Sequence, residues 1–106
     1  MQSLKFSEPL PDMILRREKT ITWRIDMRGI TSGETLSLCR KDGKEFAKGI
    51  VVWVKETTFG KLGEEDREGH EKFDSEGQLY STYSDYYKVQ VTPETKLQVI
   101  KFEIER

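Results

Sequence analysis

The sequence has few of the residues that build metal sites and disulfides. Its 106 residues include one cysteine, one histidine and three prolines, and no asparagine. Cys39 alone cannot form an internal disulfide, and no Cys/His set has the spacing of a zinc site, so we expect neither a metal nor another cofactor. A reducing, cytoplasmic environment is the simplest setting for such a chain.

Two further absences concern where the protein works. No stretch is long or apolar enough to span a bilayer, and the N-terminus lacks the apolar segment of a signal peptide, so no membrane partner is expected. The absence of asparagine, together with 35% charged residues, is typical of heat-adapted proteins. Asparagine is thermolabile, and ion-pair networks stabilise more at high temperature.

Hydrophobic residues make up only 35% of the chain, but their strong patterning predicts one folded domain over residues 1–106. The formal net charge of −1 is unevenly distributed. Residues 1–55 carry eleven Lys/Arg and seven Asp/Glu (+4), whereas residues 56–106 carry seven and twelve (−5). A basic first half can attract phosphate groups, although charge interspersed over exposed faces explains the asymmetry equally well.

Five segments alternate in the two-residue period of β-strands. They are residues 3–7, 19–25, 35–41, 45–57 and 96–105. Asp42-Gly43 predicts a tight turn between the third and fourth of them. The run Ile50-Val51-Val52-Trp53-Val54 is apolar on both faces, which predicts a central strand covered on both sides. Gly49 is expected to mark a bulge or a bend.

Three short helices are predicted between these strands. Pro11 suits a first helical turn and predicts a helix over residues 10–18. The acidic residues 64–68 predict a second helix that Gly69 ends, and Ser75 begins a capping-box pattern before a third. The resulting class is α+β. A sheet this small removes its exposed edges best as a partly closed β-barrel of five or six strands with two or three short helices.

The second predicted strand has two different faces. Ile21 and Trp23 lie on an apolar face, and Thr22 and Arg24 lie on a polar, cationic face. An ordinary half-buried strand has the same pattern. The alternative is that the polar face lines a pocket.

Lys19, Thr22 and Glu71 are candidate catalytic residues. A hydroxyl becomes a useful nucleophile when a neighbouring group takes its proton, and a lysine does so once burial lowers its pKa. Glu71 could orient that lysine. Strict alternation puts Lys19 and Thr22 on opposite faces, so this arrangement requires Lys19 to lie before the regular strand begins. Residues of these types are also common at helix ends and on strands without any catalytic role.

The remaining polar features favour structural interpretations. His70 is expected to face solvent on a loop, and residues 64–68 to be a solvated helix start rather than a cation site. The four tyrosines could stack on bases but at helical spacing are more often core residues with hydroxyls at the rim. Cys39 is expected to be an inert, small apolar residue.

Several motifs in order resemble the ASCH domain. Residues 18–24, EKTITWR, resemble its GxKTxTxR signature, with Glu18 where the family often has Gly. Residues 31–36, TSGETL, resemble its xxGDxL turn, with Glu34 where the family has Asp. Matches to compact archaeal members continue over residues 57–62 and 69–73, the pair Tyr86-Tyr87 and the strand at 99–102. The resemblance therefore covers nearly the whole chain.

The resemblance implies a PUA-like β-barrel with a cleft beside it that binds RNA or a modified nucleoside, and gives no reason to expect DNA binding. Some compact members are amidohydrolases that remove the acetyl group from N4-acetylcytidine through a Thr–Lys–Glu set. The matching positions are Thr22, Lys19 and Glu71, with Glu68 as the alternative because the match at Glu71 needs a one-residue gap.

Three functions remain open on these grounds: binding, hydrolysis at the same cleft, and a simple interaction domain. For binding, the expected ligand contacts are Arg16, Arg17, Trp23, Arg24 and His70, with Arg28 as a further cation.

Overall fold

The computed structural model describes residues 1–25, 27 and 29–105. The strands are β1 (Ser3–Phe6), β2 (Ile21–Arg24), β3 (Thr35–Arg40), β4 (Glu45–Thr58) and β5 (Lys96–Ile104). The α-helices are α1 (Leu10–Leu15), α2 (Glu64–Arg67) and α3 (Glu76–Tyr87), and a 3₁₀ turn covers Phe59–Lys61. Among the helices of these residues, none is long and apolar enough to cross a membrane.

The five strands form one curled sheet in the order β1-β3-β4-β5-β2. β1 pairs with β3 in parallel, and the other pairs are antiparallel. Curling brings the two edge strands together, because Arg24 of β2 donates to the backbone carbonyl of Lys5 in β1 at 2.9 Å. The Arg24 guanidinium also lies 4.8 Å from the centre of the Phe6 ring. The predicted α+β class and partly closed barrel are therefore confirmed.

Two apolar clusters share strand β5. One fills the barrel and contains Ile100 and Phe102; the other lies under α3 and contains Leu97 and Val99. Alternation along β5 sends successive side chains into different clusters, so its middle is buried on both faces. The remaining buried members of the first cluster are Leu4, Phe6, Ile14, Ile30, Leu36, Leu38 and Val51, and those of the second are Ile21, Trp23, Phe59, Leu79, Tyr83 and Val91.

Strand β4 is central, as predicted, but its apolar run is not covered on both sides. Ile50 is 40% exposed and Val52 37% exposed, whereas Val51 is buried. The register shifts of β4 lie at Val52 and Phe46 rather than at Gly49. Val51 pairs with Phe102 and the next residue paired with β5 is Trp53, and on the β3 side the pairing passes from Ala47 directly to Glu45. Gly49 instead leaves space for a neighbour: a Cβ there would lie 3.2 Å from Leu38 Cδ1.

Helix α1 is shorter than predicted. It ends at Leu15 instead of residue 18, because Arg17 adopts a left-handed conformation (φ 63°) that no α-helix can include. The predicted turn at residues 41–44 is present: Gly43 has φ 93°, and its N–H donates to the Arg40 carbonyl at 2.9 Å. The early end of α1 leaves Lys19 outside both the helix and the strand that follows.

The two later helices begin and end near the predicted residues. Gly69, with φ 86°, follows α2, and the Ser75 hydroxyl accepts from Gln78 N at 3.1 Å at the start of α3. The acidic run is not wholly solvated, because Asp66 is buried. Its carboxylate accepts from Gly63 N at 2.9 Å and pairs with Lys55 at 2.6 Å.

His70 is buried, so the expectation of a solvent-facing histidine is wrong. Its ring stacks on Trp23 with 3.7 Å between ring centres. The left-handed turn at Gly69 directs the following residues inward beneath α3, where His70 contacts Tyr83. Burial and the charge of Lys19 lower the pKa of His70 to about 3, so the ring is neutral at pH 7.

Gly69→Ala and Gly43→Ala form a matched pair that tests this inward turn. Both glycines have φ near 90°, so alanine brings a similar backbone strain of about 1–2 kcal/mol at each. At Gly69 the new Cβ would also lie 2.2 Å from Thr20 Oγ1, whereas at Gly43 nothing lies within 4 Å. We expect Gly69→Ala to lower the free energy of unfolding by about 1–3 kcal/mol more than Gly43→Ala, as overpacking does. Urea denaturation measures both, and equal losses would contradict the close packing of Gly69 on Thr20.

Candidate functional site

A cavity of about 300 Å³ lies where β1, β2 and α3 meet. This volume is typical of a site for one small molecule. Its inner end carries buried polar side chains, and its mouth carries exposed ones such as Tyr86, which is 57% exposed. The lining residues are Lys5, Phe6, Ser7, Leu10, Lys19, Thr22, Trp23, Arg24, Lys41, Glu71, Tyr83, Tyr86 and Tyr87.

Lys19, Thr22 and Glu71 all line this cavity. Lys19 lies two residues before β2 begins, so the alternation of the strand does not separate it from Thr22. Glu71 comes from the loop between α2 and α3. Glu68, the sequence-based alternative to Glu71, is exposed directly after α2 and does not line the cavity.

Lys19 is a buried cation with two fixed partners. Its side chain is only 2% exposed, and Nζ donates to the Ile21 carbonyl at 2.9 Å and pairs with the Glu71 carboxylate. Burial lowers the pKa of Lys19 to about 8, against the opposing effect of Glu71. With that pKa, roughly a tenth of the lysine is neutral at pH 7.

Glu71 stays ionised in this environment. Burial is the largest single effect and raises the pKa of its carboxyl. The charge and hydrogen bond of Lys19, together with His70 and a backbone hydrogen bond, outweigh burial, so the net direction of the pKa is downward. The segment that carries Glu71 is attached to the start of β2, because the N–H groups of Thr20 and Ile21 donate to the Gly69 carbonyl at 2.8 and 3.3 Å.

Thr22 and Arg24 follow one another on the polar face of β2. The buried Thr22 hydroxyl oxygen accepts from Arg24 Nε at 3.2 Å. Because that bond uses a lone pair, the hydroxyl hydrogen remains available for an acceptor in the cavity. The pocket-lining interpretation of this face agrees with these positions.

The predicted ligand contacts are divided between several locations. Trp23 lines the cavity but is largely a core residue, with its indole N–H donating to the Asp66 carbonyl at 2.9 Å. Arg16 is exposed and paired with Glu18 at 2.8 Å, away from the cavity. Arg17 lines a second cavity of about 400 Å³, which Lys19 also reaches. Arg28 lies outside the described residues, and His70 does not line either cavity.

Sequence reasoning missed several lining residues. Lys5 and Lys41 come from β1 and from the β3–β4 turn, and no local pattern connects them to Lys19. For Tyr83 and Tyr86 the sequence leaves core packing and base stacking open. The structure divides them, because Tyr83 is buried and Tyr86 is exposed at the mouth. Across the described residues, no three His, Cys, Asp or Glu side chains come together as metal ligands do.

No protein-family model matches the chain, and no curated protein matches it. Solved structures do match. An ASCH domain from Lactobacillus crispatus has a TM-score of 0.70 at 15% identity, over 89% of this chain and 69% of that one. An ASCH protein of Zymomonas mobilis has a TM-score of 0.64 at 16% identity, over 95% and 67%.

A third match agrees with this chain in length as well as in fold. The hypothetical protein PH0355 has a TM-score of 0.75 at 17% identity, and the alignment covers 98% of both chains. At such low sequence identities the agreement concerns only the course of the backbone, that is, the fold. The chain therefore has the fold of the ASCH domain.

Proposed function

We propose that the cavity binds a single modified nucleoside, either free or as one unit of an RNA. The observation that carries this proposal is the cavity itself, with the buried Lys19 and the partly buried Glu71 at its inner end and an aromatic side chain at its mouth. Lys19, Arg24 and Glu71 supply hydrogen-bond donors and acceptors for a polar base edge. Tyr86 supplies a ring face on which a base can stack.

The charges outside the cavity favour a small ligand over a long strand. Arg16 is paired with Glu18, and Arg40 is paired with Glu8 on the surface. A protein that follows a phosphate backbone needs a continuous row of available cations. The cavity instead concentrates its polar groups in a volume close to that of one nucleoside.

Tyr86→Ala tests the binding proposal. Loss of base–aromatic stacking costs about 1–3 kcal/mol, so we expect N4-acetylcytidine to bind at least fivefold more weakly. Val89→Ala is the control, because Val89 is also exposed near the end of α3 but does not line the cavity. Isothermal titration calorimetry of both variants and of the unchanged protein gives the dissociation constants. Equal affinities for the two variants, or no binding by the unchanged protein, would reject the proposal.

A second function, amide hydrolysis in the same cavity, is favoured by the lowered pKa of Lys19. Neutral Lys19 has two N–H groups, which donate to the Ile21 carbonyl and to Glu71. Its nitrogen lone pair is then available to accept a proton. Lys19 and Thr22 line the same cavity, and an amine lone pair that reaches a threonine hydroxyl activates it as a nucleophile.

The first half-reaction then forms an acyl-enzyme. Thr22 Oγ1 attacks the amide carbonyl carbon while its proton passes to Lys19, and Arg24 donates to the developing oxyanion. The tetrahedral intermediate expels the amine of the nucleoside, which takes the proton from Lys19. Glu71 stabilises the ammonium form of Lys19 between these transfers.

The second half-reaction restores the enzyme. Lys19, neutral again, accepts a proton from a water molecule that attacks the Thr22 ester. The ester C–O bond breaks, and Thr22 Oγ1 regains a proton from Lys19. The products are the deacylated nucleoside and the carboxylic acid, so the reaction needs water but no oxidant or cofactor.

Thr22→Val and Thr22→Ser separate the nucleophile from the shape of the site. Valine keeps the volume of threonine without the hydroxyl, whereas serine keeps the hydroxyl. We expect Thr22→Val to lower kcat for deacetylation of N4-acetylcytidine by about 1000-fold or more, and Thr22→Ser by about tenfold or less. Chromatography of the product cytidine measures both. Comparable activity in Thr22→Val and the unchanged protein would exclude Thr22 as the nucleophile.

The pH dependence tests the role of Lys19. Only neutral Lys19 is a base, so kcat/KM is expected to rise with pH and to level off above a pKa of about 8. Glu71 raises the pKa of Lys19, so Glu71→Gln should move the inflection to lower pH. Thr22→Ser, which leaves both charges in place, serves as the control and should keep the original inflection. A flat profile between pH 6 and 9 would contradict the role of Lys19 as the base.

A further inference from the structure

The hydrogen bonds of His70 determine which of its ring nitrogens carries the proton. Nδ1 lies 2.8 Å from the backbone carbonyl oxygen of Glu71 and 3.2 Å from Oε1 of the Glu71 carboxylate. A carbonyl and an ionised carboxylate only accept hydrogen bonds, so Nδ1 is the protonated nitrogen. Because the ring is neutral at pH 7, Nε2 has a lone pair and no proton.

This tautomer determines the direction of the next hydrogen bond. His70 Nε2 lies 3.1 Å from the Tyr83 hydroxyl oxygen, and since Nε2 can only accept, Tyr83 donates. The single hydrogen of the hydroxyl is therefore used by His70. The Tyr83 oxygen keeps lone pairs with which it can only accept from a further partner.

Tyr83 lines the same cavity as Glu71 and Arg24, and the charges of both residues act on its hydroxyl. Burial raises the pKa of this hydroxyl well above the ordinary value, with the Glu71 charge acting in the same direction and Arg24 against it. The hydroxyl thus stays protonated at physiological pH. The cavity therefore combines Tyr83, whose oxygen can only accept, with the guanidinium of Arg24, which can only donate.

We propose that Tyr83 is a specificity-determining residue that accepts a hydrogen bond from an N–H group of the ligand. The inference rests on the proposed function, since it concerns a nucleoside in the same cavity. The ligand class is one whose buried end carries an N–H bonded directly to a carbonyl carbon, as a secondary amide does. The N–H faces Tyr83, and the carbonyl oxygen faces the guanidinium of Arg24. Alkylation of that nitrogen removes the bond and leaves a buried oxygen without a donor.

Two nucleosides that differ only in one substituent on N4 test this inference. N4-acetylcytidine has the amide N–H, and N4-acetyl-N4-methylcytidine has a methyl group in its place. Binding is measured by calorimetry in a Thr22→Val background, which cannot form an acyl-enzyme. We expect this parent to prefer the N–H ligand by tenfold or more, because an unmatched buried polar group discriminates strongly. With Tyr83→Phe added, the preference should fall to about twofold or less.

The control is Tyr80→Phe, which removes a hydroxyl from the same helix outside the cavity and should keep the preference. Comparison of two ligands on one protein cancels any general weakening that Tyr83→Phe causes. The loss of preference in Tyr83→Phe must come from weaker binding of the N–H ligand. Tighter binding of the N-methyl ligand would instead indicate relief of a steric clash and would overturn the inference. An unchanged preference in Tyr83→Phe would also overturn it and leave the proposed function standing. If the parent binds neither nucleoside, the proposed function fails and the inference fails with it.

Discussion

The ion pair between the buried Lys19 and the partly buried Glu71 is the interaction on which the cavity depends. Removing an ammonium from water is unfavourable unless its hydrogen bonds are replaced, and here Glu71 and the Ile21 carbonyl replace two of them. Glu71 can do so only because the Gly69 carbonyl is bonded to the start of β2. The burial of the charged Lys19 therefore depends on the loop between α2 and α3 being bonded to the first residues of β2.

The same loop connects the ion pair to the helix above it. His70 follows Gly69, stacks on Trp23 and accepts from Tyr83, so a single buried ring links β2, the loop and α3. Its neutrality matters, because a second cation beside Lys19 would be repelled in a buried site. On the opposite side, Arg24 bonds to Thr22 and to the Lys5 carbonyl, which joins the two edge strands of the sheet. Arg24 thus both lines the cavity and closes the barrel.

The largest sequence-based errors occur where packing overrides a local pattern. The apolar run of β4 predicts two covered faces, but the barrel has a single interior and Ile50 and Val52 face outward. A lone histidine in a polar loop reads as exposed, yet the left-handed turn at Gly69 directs His70 inward. Asp66 reads as a solvated helix start and is buried against Lys55. The groups that receive His70 and Asp66, which are Trp23 and Lys55, lie outside the local segment that the sequence pattern covers.

The sequence by itself determined the strands, the Asp42-Gly43 turn, the Ser75 cap and the α+β class, because alternation, turn residues and caps act over a few neighbouring residues. It also identified Lys19, Thr22 and Glu71 as residues to examine together. Only the tertiary structure decided that Glu71 rather than Glu68 meets Lys19, that Lys5 and Tyr83 join the same cavity, and that Arg16 does not. Those outcomes depend on how far the sheet curls and on where the loop after α2 docks. Such contacts join positions as far apart as 19 and 71, so no local pattern encodes them.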